Sequence, residues 1–151
     1  MQKHTGKDAF MAINLDMSKA YDRVKWPYLK VVMRKIGFND KWIKLLMLCV
    51  TTVSYSILVN GEPKGLIHPS RGIRQGDLIS QFLFLLCTEG LHGLINKAAA
   101  QDDIRGYSLC RNNLRLNRLL FAYDSLLFCR STSQECQRIL KILDTYEKCS
   151  G

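Results

Sequence analysis

Two aspartates, Asp16 and Asp124, have the type and setting that could do chemistry in this chain. Asp16 ends the run AFMAINLD, in which Phe10, Ala12 and Asn14 alternate with Met11, Ile13 and Leu15. That mostly apolar pattern suits a strand in a sheet covered on both faces. From Met17 helix formers gather, with a further acid at Asp22, so Asp16 is expected at a strand end where a chain reversal opens it to solvent. Asp124 lies in LRLNRLLFAYDSLLFC, which reads as two apolar strands around a tight turn at Ala122, Tyr123, Asp124 and Ser125. Structural aspartates outnumber catalytic ones, so neither residue alone carries the argument. Converging from neighbouring strand ends, two carboxylates make a hard oxygen site for Mg²⁺, and two such ions about 3.5–4 Å apart drive in-line phosphoryl or nucleotidyl transfer.

Helices and hairpins must hold these strands. Trp26 and Pro27 open a helix with Leu29, Val32, Met33 and Ile36 at helical spacing and Gly37 as its cap. A second helix, capped by Asn39 or Asp40, buries Ile43, Leu46, Met47 and Val50 and leaves Lys41 and Lys44 on its other face. Val53 to Val59 reads as a strand running into Asn60-Gly61, a strong hairpin signal, with Glu62 to His68 as an edge-type return arm. Leu78 to Ala100 is a long helix whose dense first half, Phe82 to Leu86, is expected against the sheet. Ile104 to Leu109 and Leu114 to Phe121 form a further hairpin, with Arg105, Arg111, Arg115 and Arg118 on a nucleic-acid track or a solvated strand face. Thr132 and Glu135 are spaced as a capping box for a last helix with Ile139, Leu140, Leu143 and Tyr146 inward. The expected class is α+β, a mainly antiparallel sheet backed by helices.

Composition narrows the partners. The chain has 151 residues, 47% hydrophobic and 23% charged, enough for a real core and most simply one domain. Its 22 Lys and Arg against 13 Asp and Glu leave a net charge of +9, which favours a polyanion such as nucleic acid over an acidic surface or cationic substrate. Cys49, Cys87, Cys110, Cys129, Cys136 and Cys149 form no CxxC pair and sit mostly in apolar runs, so they read as reduced core residues of an intracellular protein. No apolar run of about 18 residues is evident, and no membrane partner is expected. The loop HPSRGIRQGD sets Arg71 and Arg74 around Gln75, with Gly72 and Gly76 letting the backbone approach a substrate. An ordinary basic surface loop has the same composition.

INLDMSKAYDRV, RGIRQGD and FAYDSLLF, in that order and at these separations, resemble three palm motifs of reverse transcriptases, particularly those of plant and other non-LTR, LINE-type retrotransposons. The resemblance covers essentially the whole chain and implies a polymerase palm core with part of the fingers, the upstream fingers and downstream thumb being absent. It implies template-directed DNA synthesis with RNA template, DNA primer and deoxynucleoside triphosphates as partners and two Mg²⁺ ions as cofactors. Asp16 and Asp124 match the catalytic metal ligands, and the backbone carbonyl of Met17 matches a further one. Tyr21 matches the residue under the sugar of the incoming nucleotide. Gln75 and Gly76 match the motif that packs on the nascent base pair, and Arg74 and Asp77 belong to its usual spelling.

Departures from the family pattern bear on activity. The third motif carries two adjacent aspartates in the family, and here the first is Tyr123. A neutral phenol, with a pKa of about 10, does not replace a hard anionic ligand, so weak metal binding and impaired chemistry are expected. Leu78 and Gln81 stand where the family has prolines, which loosens a preset turn by about 1 kcal/mol each. Such changes are expected of a retroelement copy drifting from function. The competing expectation is a non-catalytic palm remnant that binds nucleic acid, or an inert relic.

Overall fold

A computed structural model describes residues 9–17, 19–108, 115–121 and 124–151. In chain order its elements are β1 (Phe10–Asp16), α1 (Ala20–Arg23), α2 (Trp26–Ile36), α3 (Asp40–Thr51), β2 (Tyr55–Val59), β3 (Glu62–Ile67), α4 (Leu78–Ala100), β4 (Tyr107–Ser108), β5 (Arg115–Leu116), β6 (Arg118–Phe121), β7 (Asp124–Arg130) and α5 (Ser133–Ser150). The class is α+β, with antiparallel sheets and helices. Two compact units emerge, one from Met1–Ser18 and Gly90–Lys148, the other from Lys19–Glu89 and Cys149–Gly151.

In the first unit, an antiparallel sheet of order β1-β7-β6 is backed by α5 and the second half of α4. Leu127 and Cys129 of β7 form one buried core with Leu91, Ile95 and Ala98 of α4 and Ile139 and Ile142 of α5. Met11, Ile13 and Leu15 pack against that core, whereas Phe10, Ala12, Asn14 and Asp16 are exposed. Strict alternation of this kind marks a strand covered on one face, so the expectation of cover on both faces is corrected. The dense apolar run Phe82 to Leu86 belongs to the other unit, where Leu83, Phe84 and Leu86 are buried and Phe82 and Leu85 exposed.

Glu135 ties the first unit together by a route that spacing did not foretell. Its backbone N–H donates to Thr132 Oγ1 at 3.3 Å, the first half of the expected capping box. Its carboxylate turns elsewhere, Oε2 accepting from the backbone N–H groups of Arg130 at 2.9 Å and Arg105 at 3.1 Å. One buried acceptor thereby serves the end of β7 and the loop before β4.

The second unit is built from α1, α2, α3, the β2–β3 hairpin and the first half of α4. Gly37 caps α2 at φ 99°, and Asn39 accepts from the Lys41 N–H to cap α3. Asn60 and Gly61 turn the hairpin at φ 53° and 83°, the paired left-handed conformation of a tight two-residue turn. Tyr28 donates from its hydroxyl to the Cys87 carbonyl at 2.9 Å, locking α2 to α4. Ile36 and Leu140, both expected inward, are instead exposed.

Cys87 and Cys129 are buried, and burial pushes their thiols up to about 12 and about 11. Cys49 and Cys149 are exposed, correcting the expectation that the cysteines lie mostly in the core; Cys110 is outside the described residues. α4 is long and apolar enough to cross a membrane by length and composition, which corrects the expectation of no such run. Leu83, Phe84, Leu91 and Ile95 nevertheless bury its sides within the protein.

Candidate active site

β1 and β7 pair without interruption from Phe10 opposite Arg130 to Asp16 opposite Asp124. The last register pair of the two strands is therefore a pair of aspartates. β6 pairs with β7 up to Phe121 opposite Asp124, so Asp124 and Ser125 belong to the strand rather than to the expected four-residue turn. Tyr123 itself lies outside the described residues.

Directly opposed positions in an antiparallel pair bring Cβ atoms about 4.5–5.5 Å apart, and like charges placed there destabilise the sheet. Carboxylates are hard oxygen donors, the type that suits a divalent ion such as Mg²⁺. Met17, next in the chain, packs its side chain against the core. Two carboxylates and a carbonyl fit one Mg²⁺ completed by water better than two ions, and among the described residues no group of three or more His, Cys, Asp or Glu could hold a metal.

A second constellation belongs to the other unit. Arg71, Arg74 and Gln75 line a cleft of about 410 Å³ together with Asp22, Tyr55 and Ile73. Local bonds explain why the loop is held there. The Gly72 N–H donates to the Val24 carbonyl at 2.8 Å, the Ile73 N–H to the Tyr21 carbonyl at 2.9 Å, and Trp26 Nε1 to the Gly72 carbonyl at 2.7 Å. Gly72 sits at φ 88°, and a Cβ there would stand 2.9 Å from the Asp22 carbonyl oxygen. Its glycine thus admits the chain's own backbone, whereas the sequence had pointed to a substrate. Gly72→Ala is expected to cost about 2 kcal/mol or more, from backbone strain and the displaced carbonyl together. Urea unfolding of the two proteins checks this.

Gly76 takes φ 88° with no atom within 4 Å of a Cβ position, so it serves the turn that precedes α4. Asp77 caps that helix, its Oδ1 accepting from the Ile79 N–H at 3.2 Å. Leu78, at a position expected to carry proline, is 84% exposed. Tyr21 is buried and stacks on Phe84, with ring centroids 4.5 Å apart and planes 18° apart. Its carbonyl anchors the arginine loop. Tyr55 and Phe84 were missed by sequence reasoning, since neither falls in a motif and only the folded partners reveal them.

A family model described as reverse transcriptase (RNA-dependent DNA polymerase) matches residues 1–151. An uncharacterized mitochondrial protein of Arabidopsis thaliana is 50% identical over 68 residues, covering 45% of this chain and 56% of that protein. A retrovirus-related Pol polyprotein from the type-1 retrotransposable element R2 of Popillia japonica is 30% identical over 118 residues, 78% of this chain and 18% of the polyprotein. An uncharacterized 149 kDa protein of transposon TX1 from Xenopus laevis is 25% identical over 132 residues, 84% of this chain and 10% of that protein. The chain thus spans about half of the first relative and less than a fifth of the other two.

Proposed function

The chain belongs to the reverse transcriptase (RNA-dependent DNA polymerase) family, and from that premise we propose that it is the palm portion of a retroelement polymerase whose chemistry is weakened at position 123. The observation that carries this reading is the terminal register pair of Asp16 and Asp124. RNA template, DNA primer and deoxynucleoside triphosphates are the partners, and the product bond forms when the primer 3′-hydroxyl attacks the nucleotide α-phosphate in line and pyrophosphate leaves. When bound, Mg²⁺ supplies charge stabilisation to the transferring phosphoryl group. Asp16, Asp124 and the Met17 carbonyl would hold it. Gln75 and Gly76 pack on the nascent base pair, and Arg71 and Arg74 attract phosphates to the cleft they line. Tyr21 acts through position: its carbonyl holds the loop that carries these arginines, and its ring, the family's sugar gate, rests on Phe84.

Tyr123 removes one carboxylate from the set that two ions need, which favours a second reading, a palm remnant that binds nucleic acid without extending a primer. Primer extension on an RNA template separates the two. The unaltered chain and Tyr123→Asp are each joined to a related element's fingers and thumb. Extension by the aspartate protein alone, abolished by Asp16→Asn, supports a weakened polymerase; salt-dependent binding with no extension by either supports the remnant.

A further inference from the structure

A groove in the first unit runs between the second half of α4 and the middle of α5, with a volume of about 260 Å³. Leu94, Ala98 and Ile142 line it with apolar surface, and Lys97, Arg138 and Lys141 bring cationic side chains to it from both helices. Arg138 is paired with Asp103. Lys97 and Lys141 take part in no ion pair among the described residues. The nearby Asp144 is engaged by Lys148 at 2.7 Å. With Arg138 set against Asp103 and Lys148 against Asp144, Lys97 and Lys141 leave the groove positive. Apolar surface beneath supports the lysine stems while their ammonium groups stay at the rim.

We infer that this groove binds the phosphate backbone of a nucleic-acid strand. Charge complementarity argues for it: cations converge from two elements onto one channel, in a chain of net charge +9. A solvated helix face would scatter such lysines along one helix, whereas here residues on α4 and α5 share a groove. The choice of nucleic acid as the polyanion rests on the polymerase reading above, while the anionic character of the ligand rests on the groove alone.

The test uses the full chain and a fluorescein-labelled single-stranded oligoribonucleotide, with affinity measured across a KCl series. The double variant Lys97→Gln/Lys141→Gln is expected to bind more weakly and to lower the slope of log K against log salt by about 1.4, or about 0.7 for each phosphate no longer neutralised. RNA is also expected to protect Lys97 and Lys141 of the unaltered chain from acetylation, read by mass spectrometry. Lys41→Gln/Lys44→Gln on α3 changes net charge equally and is expected to lower the slope less. Equal effects from the two variants, or no protection, would overturn the groove. Arg71→Gln/Arg74→Gln separates the two readings: weaker binding there with an unchanged groove variant overturns the groove and leaves the polymerase reading standing. No RNA binding by the unaltered chain at low salt overturns both.

Discussion

Replacing Tyr123 by aspartate is expected to raise Mg²⁺-dependent primer extension by about 10²-fold or more, in a protein supplied with a related element's fingers and thumb. Metal charge stabilisation is worth several kcal/mol in such transfers, and each 1.36 kcal/mol is about tenfold in rate. Asp16 and Asp124 already close the β1–β7 register, and position 123 immediately precedes Asp124 in the chain. An aspartate there adds the hard anionic oxygen that a neutral phenol does not supply. Rates equal in the two proteins would show that Tyr123 is not the limiting lesion. Activity in the revertant that survives Asp16→Asn would show that the register pair is not the metal site.

Glu135→Ala is expected to destabilise the fold by about 3–5 kcal/mol, because it removes a buried charged acceptor used by two backbone N–H groups. Hydrogen bonds to charged groups are worth about 1.5–3 kcal/mol each, and the donors left behind carry their own desolvation cost. Both donors, on Arg105 and Arg130, are in the first unit, and Arg130 ends the central strand of its sheet. Glu135→Gln keeps an acceptor oxygen and is expected to cost less than half as much. Urea unfolding followed by circular dichroism measures both variants, and a loss below about 1 kcal/mol for the alanine variant would contradict the role given to this carboxylate.

Signals that act over a few residues were legible in the sequence. Asn60-Gly61 needs only its own backbone preference to turn a hairpin, and Gly37, Asn39 and Thr132 cap helices with neighbours two to four residues away. The acid pair was legible too, since alternation and apolar runs predicted the strands and the motif order singled out Asp16 and Asp124, although Asp124 was expected in a turn rather than in the strand. Long-range partners were not. Nothing local to Glu135 says that it will accept from Arg105, thirty residues distant, in place of its own capping N–H. Gly72 reads as substrate-facing until the Asp22 carbonyl is found against it. Nothing local to Leu91, Ile95 and Ala98, in the sparser half of α4, says that they will share a core with Leu127 and Cys129 of β7. Tyr21 shows the same limit, because an aromatic residue in a motif and one stacked in a core look alike until Phe84 is found beneath it.

The central claim is that Asp16 and Asp124 form a metal site that Tyr123 leaves short of a ligand. Titrating the isotopically labelled chain with Mn²⁺ and following paramagnetic broadening of its amide resonances tests this most directly. The account predicts weak, saturable broadening centred on Leu15 to Met17 and on the start of β7, tightening about tenfold or more in Tyr123→Asp. Broadening centred elsewhere, or equally tight binding in the two proteins, would contradict it.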